Sequence, residues 1–324
     1  MIKNRIASLL TACCVASLAS VSAQAQTQPN AWPTQPIRWV VGFAAGGTAD
    51  TLTRLAAEKL SNDIGQSVVV ENRPGASGAI ALQYVAKTSP EETVLITVPG
   101  PIIYPAIQPA IGKELAPVIL MAQGPMVIVG PAKNQANTLK EVIADARTHP
   151  DAWSYATSGT GTSQHLAGEL LNYSAKTQIT AIPYKGGGQA VADVVGGHVP
   201  LAILGPTPVM PHIESKTLKA YAVTTSYRLD SLPDVPTVQE SGFPGYDASQ
   251  WFAVATVQGV ADARAAKLNT LLSAAIATPQ FQAALKSAGM IASPGSPADL
   301  QSFVDKDTQK WDELIQKAGL SVTN

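Results

Sequence analysis

Cysteine is almost missing from this chain. Of the 324 residues only Cys13 and Cys14 are cysteines, and both lie near the start. Removal of that stretch on export leaves no disulfide, no cysteine nucleophile and no cysteine metal site. Histidine is nearly as scarce. His149, His165, His198 and His212 have no metal-ligand spacing, so neither a metal nor a cofactor is expected. Charge is thin, at 14% of residues, and no basic block or polybasic patch occurs. That excludes nucleic acid and anionic membrane surfaces as partners. Beyond the N-terminus no apolar run is long enough to cross a bilayer. Leu115–Val129 is broken by Gln123, Gly124 and Pro125, and it predicts a pair of buried strands instead. Enzyme signatures are missing too. Gln164 stands where a dinucleotide fingerprint beginning Gly159-Thr-Gly161 needs glycine or alanine. There is no Walker A loop, and Gly161-Thr-Ser163-Gln-His165 is not a nucleophile elbow. No nucleophile is paired with a base, and no enzyme is expected.

What the chain does have is apolar content, 46%, in a length that suits two α/β domains with sizeable cores. The N-terminus reads as an export signal spanning residues 1–25. Lys3 and Arg5 start it, Ile6 to Val21 form the apolar stretch, and Ala23-Gln-Ala25 is the cleavage site. Leu10-Thr-Ala-Cys13 also fits a lipoprotein signal, but the apolar stretch continues past it, which favours cleavage near Ala25. Without Lys3 and Arg5 the 22 basic residues become 20 against 23 acidic ones, a net charge of about −3.

Strand and helix patterns alternate along the rest. Strands are predicted at Ile37–Phe43, Ser67–Glu71, Thr93–Val98, Pro117–Met121, Met126–Gly130, Trp153–Ala156, Gln178–Pro183, Pro200–Leu204, Leu218–Thr224 and Gln250–Val257. Helices are predicted at Thr48–Asn62, Gly78–Lys87, Thr138–Thr148, from Ser163, at Gln189–Val195 and at Val209–Ser215. The alternation predicts mostly parallel sheets with helices on both faces. Tyr227–Tyr246 is turn-rich and reads as an ordered surface loop. The tail is purely helical in pattern, with Asp262–Thr278, Pro279–Ala288 and Pro297–Lys317, as expected of a chain returning to its first domain.

Two strand–glycine-loop–helix units carry the chemistry. The first is Val40-Val-Gly-Phe-Ala-Ala-Gly-Gly-Thr-Ala-Asp50, followed by a helix with Leu52, Leu55, Ala56 and Leu60 on one face. Such a loop offers backbone N–H groups and the positive end of a helix to an anion. Gly46, Gly47 and Thr48 serve either as that pocket or as a tight turn with an N-cap. Asp50 serves either to hold the loop or to accept from a ligand. The second unit is Thr157-Ser-Gly-Thr-Gly-Thr-Ser-Gln-His165, with hydroxyls at Ser158, Thr160, Thr162 and Ser163 around Gly159 and Gly161. Neutral donors satisfy an anion without burying a lysine. His165 points at the pocket or packs in the core. A weaker third case is Tyr184-Lys-Gly-Gly-Gly188, where Lys185 aids an anion or is a surface lysine. Arg73 orders a turn or pairs locally, and Trp251 walls the cleft or packs in the core.

At these residues the chain resembles the substrate-binding proteins of tripartite tricarboxylate transporters, the Bug family. Five blocks carry the resemblance in order: Gly42–Asp50, Val70–Gly78, Tyr155–Glu169, Pro183–Gly187 and Leu232–Thr237. The resemblance implies an α/β, two-lobed Venus-flytrap fold of type II character with a helical tail. Lobe 1 is then 26–125 with 248–324, and lobe 2 is 126–247. It implies a monomeric periplasmic solute receptor that closes on a small carboxylate and passes it to membrane permease subunits. Two alternatives stay open, a ligand sensor signalling to a kinase and a hydrolase using Ser163 and His165. The resemblance implies ligand contacts at Phe43, Gly47, Thr48, Asp50, Ser158, Gly159, Thr162, Ser163 and His165, and the loops themselves add Ala45, Gly46, Thr160 and Lys185 as candidates. The chain departs from the family at Ala44-Ala45, where Pro-Pro is usual, at Val98–Tyr104 and at Leu204-Gly-Pro206. Ile102, Ile103 and Tyr104 imply a less polar far end, suited to a monocarboxylate or to an aliphatic or aromatic diacid rather than citrate.

Overall fold

The computed structural model describes residues 32–103, 107 and 114–319. The expected leader and cleavage site and Tyr104 lie outside the described residues, as does the side chain of Ile102. β1 (Ile37–Val41) buries every residue but the half-buried Arg38, because it is covered on both faces. Phe43–Gly47 then turns the chain into α1 (Thr48–Ile64), which buries Leu52, Ala56, Ala57 and Leu60 and stops at Gly65 in the left-handed region. β2 (Val68–Asn72), α2 (Ala79–Ala86) and β3 (Val94–Pro99) follow, then β4 (Leu115–Gly124) and β5 (Val127–Pro131). Next come α3 (Leu139–Thr148), β6 (Ser154–Thr157), α4 (Ser163–Ala175), β7 (Thr180–Pro183), α5 (Gly187–Gly196), β8 (Leu201–Leu204), α6 (Pro206–Glu214) and β9 (Leu218–Val223). The chain finishes with β10 (Gln250–Val257), α7 (Asp262–Ile276), α8 (Pro279–Ser287), β11 (Ile291–Ala292) and α9 (Pro297–Ala318).

These strands form two sheets, ordered β11-β4-β10-β3-β1-β2 and β7-β6-β8-β5-β9. Each sheet with its helices makes one lobe. The mostly parallel sheets expected from the alternation are in fact mixed. β1 runs parallel to β2 and β3, and β6 runs parallel to β7 and β8. β10 is antiparallel to β3 and β4, and β5 is antiparallel to β8 and β9. The reversed strands β5 and β10 are the two that enter a sheet directly from the other lobe. A strand arriving without a crossover helix is free of the rule that makes βαβ neighbours parallel.

The two buried strands expected in Leu115–Val129 are present, and the same crossing separates them. β4 belongs to the first sheet and β5 to the second, and Gly124–Met126 carries the chain between them. The crossings are tied together. Met126 N–H donates to Thr224 Oγ1 at 2.9 Å, Thr224 N–H donates to the Met126 carbonyl at 3.0 Å, and Gln250 Nε2 donates to the Pro125 carbonyl at 2.9 Å. The tail is not purely helical, since β11 pairs antiparallel with β4 before α9 begins at a Ser296–Asp299 capping box. Trp251 packs away from the cleft. Its indole donates to Asp307 of α9 at 2.7 Å and meets the Phe303 ring edge-on, fixing the last helix to β10. Strand alternation turns its neighbours Gln250 and Phe252 to the opposite face.

Candidate functional site

The first loop is held by a buried carboxylate. Asp50 accepts the Gly46 N–H at 3.1 Å, Asn72 Nδ2 at 2.9 Å and the Arg54 guanidinium at 2.9–3.1 Å. Asn72 also donates to the Phe43 carbonyl at 3.0 Å, so one cluster fixes both ends of the turn. Burial pushes the Asp50 pKa up. The hydrogen bonds from Arg54, Asn72 and Gly46 outweigh it and hold the carboxyl below its ordinary value. Beneath the loop, Trp39 Nε1 donates to Thr97 Oγ1 at 3.0 Å, and Thr97 shares a 2.6 Å hydrogen bond with Thr53. The amino end of α1 has Gly47 as its N-cap and no side-chain cap. Its leading N–H groups face the cleft.

The second loop is held by neutral groups. Thr162 caps α4 by accepting the His165 N–H at 3.4 Å and donates its own hydroxyl to the Gly159 carbonyl at 2.7 Å. His165 Nδ1 accepts the Gly161 N–H at 3.2 Å, which requires the ring nitrogen to be unprotonated. Burial lowers the His165 pKa, with Glu169 pulling weakly the other way, so the ring is held neutral. α5 and α6 also begin at the cleft, behind Gly186 and Gly205, and neither has a side-chain cap.

The lobes meet around these loops. Ala44 N–H donates to the Lys185 carbonyl at 2.7 Å, and Gln164 Nε2 donates to Gln250 Oε1 at 3.1 Å. Gly205 allows the closest approach, because a Cβ there would lie 2.4 Å from Thr48 Oγ1. Between the lobes is a cavity of about 30 Å³. Gly47, Thr48 and Ala49 of α1 line it from the first lobe, and Ser158, Thr162, Gln164, Gly187 and Gly205 line it from the second. Phe43, Pro99, Leu204, Pro208 and Phe252 supply an apolar wall, and Gln250 closes the set. Among the described residues, no lining side chain is ionisable.

Of the expected contacts, Phe43, Gly47, Thr48, Ser158 and Thr162 come together on this cavity. Gly159, Thr160 and Lys185 line an adjoining chamber, together with Phe43 and Ser158. Ala45, Gly46, Asp50, Ser163 and His165 line neither space. Asp50 and His165 stand behind the loops and shape them, and Ser163 packs against Gly100. Sequence reasoning missed Gln164, Pro208 and Gln250 as lining residues, whereas Gly187 lies in the weaker third glycine loop and Leu204 and Gly205 in the segment expected to face the far end of the ligand. Gln250 had a signal, as the one strongly polar side chain in the strand QWFAVATV.

The family model described as "Tripartite tricarboxylate transporter family receptor" matches residues 52–320. The chain belongs to that receptor family. This receptor is 36% identical over 292 residues to the "UPF0065 protein in tcbD-tcbE intergenic region" of Pseudomonas sp. (strain P51), covering 88% of this chain and 87% of the relative. The solved structure of periplasmic binding protein BugD superposes with a TM-score of 0.85 at 33% identity, covering 90% of this chain and all of that one. R. palustris Rpa4515, solved with adipate, gives 0.85 at 32% identity over 90% of this chain and all of that one. MatC from Rhodopseudomonas palustris, solved with bound malate, gives 0.83 at 27% identity over 88% of this chain and all of that one. The receptor therefore has the two-lobed periplasmic-binding-protein fold of the Bug proteins, and its family binds solutes rather than transforming them.

Proposed function

We propose that this receptor captures a small carboxylate in the cleft, in the periplasm, for the membrane permease of a tripartite tricarboxylate transporter. Residues 26–125 and 248–324 form one jaw, 126–247 form the other, and residues 1–25 direct export. The observation that carries this reading is the meeting of four helix amino-termini, from both lobes, on one cavity whose described lining residues include no ionisable side chain. Each such terminus carries about half a positive charge, and the uncapped starts of α1 and α5 add unsatisfied N–H donors, whereas Thr162 caps α4 and Pro206 and Pro208 of α6 have no N–H. An anion bound there is satisfied by fixed dipoles, with no buried lysine to desolvate. One ligand touching both lobes also favours the closed population. The adipate and malate bound to Rpa4515 and MatC are carboxylates of this kind.

Thermal unfolding of the ligand-stripped mature chain against mono-, di- and tricarboxylates tests the reading. A micromolar ligand at millimolar concentration adds about 4 kcal/mol of stability. No shift with any carboxylate overturns it. Loss of uptake of the stabilising acid on gene deletion tests the permease partnership.

A further inference from the structure

We propose that Gln250 is a positioning residue that ties the angle at which the lobes meet to the wall of the cavity. One side-chain amide joins a crossing between the lobes, a helix of the second lobe and the cavity itself. The coupling acts on closure, whatever solute fills the cleft.

Gln250 opens β10, the strand by which the chain re-enters the first sheet, and it is only 1% exposed. Burying a primary amide is costly unless both of its ends find partners. Here both do. Nε2 donates to the Pro125 carbonyl at 2.9 Å, on the other crossing, so the amide bridges the outgoing and the returning chain. Oε1 accepts Gln164 Nε2 at 3.1 Å, from the first turn of α4 in the second lobe. Pro125 also fixes the orientation of the amide. A flipped amide would set its oxygen against a carbonyl that can only accept.

The amide is held where the lobes come closest. A Cβ on Gly205 would lie 2.7 Å from Gln250 Nε2 and 2.4 Å from Thr48 Oγ1. Gln250 and Gln164 both line the cavity. Behind them β10 is anchored, because Trp251 on its opposite face donates to Asp307 of α9 at 2.7 Å. One end of the Gln164–Gln250 bond therefore belongs to the fixed first lobe, and the other moves with the second. An N–H···O bond is lost by a shift of about an ångström, so this one is made at a single angle between the lobes. A solute that pushes Gln250 off the cavity wall breaks that bond and disturbs the Pro125 crossing together. Cavity shape is thereby converted into lobe angle.

The test is an inter-lobe cross-link. A Cβ on Gly100 of the first lobe would lie 3.9 Å from the Ser163 Cβ of the second, a separation that suits a disulfide. Residues 26–324 contain no cysteine, so Gly100→Cys with Ser163→Cys gives a single thiol pair in the mature chain. Equilibration with a glutathione redox buffer measures the effective concentration of the two thiols, and with it the ease of closure. Added to this background, Gln250→Met lowers the effective concentration about fivefold, the effect of one net hydrogen bond. Gln164→Met, at a half-buried position, lowers it similarly and gives the answer where Gln250→Met does not fold. The two changes together lower it no further than Gln250→Met alone, because they remove one shared bond. A packing role alone would lower the melting temperature of the reduced protein and leave the effective concentration unchanged, which overturns the coupling. Additive losses in the double variant overturn it as well. No acid enters the measurement, so its failure and that of the carboxylate reading are separate results.

Discussion

The two loops facing each other across the cleft do the same job with opposite chemistry. Both follow a strand and open a helix, but the first is fastened by charge and the second by neutral hydrogen bonds. Asp50 ties Gly46, Asn72 and Arg54 together behind the first loop. Thr162 and a neutral His165 fasten Gly159 and Gly161 of the second. The first loop thereby leaves its helix end uncapped toward the ligand, while the second uses a threonine to cap its own. A loop's rigidity and its anion-binding capacity are separate properties, and a protein can supply the first from residues that never touch the ligand.

The largest expected effect comes from keeping the loops apart. Gly205→Val places side-chain atoms where Thr48 Oγ1 and Gln250 Nε2 now sit. Affinity for the stabilising carboxylate should fall at least about a hundredfold, roughly 3 kcal/mol, with little change in the melting temperature of the empty protein. Unchanged affinity would mean that the first loop binds without the second lobe. A smaller effect comes from the charged fastening. Asp50→Ala strands the Gly46 N–H and the Asn72 amide, and should lower unfolding free energy by about 2 kcal/mol. The ionic share is discounted because Arg54 is 49% exposed. Denaturant melts that match wild type would remove Asp50 from its fastening role.

The smallest effect is on pH, and it orders the two loops. His165 has a folded pKa below its ordinary 6.5 because burial disfavours its charged form. The unfolded chain therefore binds the extra proton, and stability falls as pH drops below about 6.5 toward the folded pKa. Asp50, lowered from 3.8, contributes stability that is present above that value and is lost only as pH falls through its folded pKa. Acidification should weaken the second loop first. A His165→Gln variant should show a flatter stability profile between pH 7 and 5 than wild type. Parallel profiles would contradict this ordering.

Much of the fold was legible because its signals are local. The run Ile37–Val41, the glycines after it and the periodic Leu52–Ala56–Leu60 predict β1, the loop and α1 without reference to any other part of the chain. Strand direction was not legible, because alternation of strand and helix does not reveal that β5 and β10 arrive from the other lobe. Half of the cavity was hidden for the same reason. Gln250 meets Gln164 and Pro125 across 86 and 125 residues of sequence, and Gly205 matters only because Thr48 comes to rest against it. The roles of Asp50 and His165 were ambiguous in one dimension. Only their partners place them behind the loops rather than in the cavity.

The bond from Ala44 N–H to the Lys185 carbonyl has a kinetic consequence. It joins the two lobes, so while it is made it resists their separation and adds to the barrier for escape. A net bond of about 1 kcal/mol lengthens the residence time of a trapped solute roughly fivefold. Proline at position 44 has no N–H to donate, and a chain carrying it there forgoes this delay. In this receptor, unloading waits on whatever force separates the jaws.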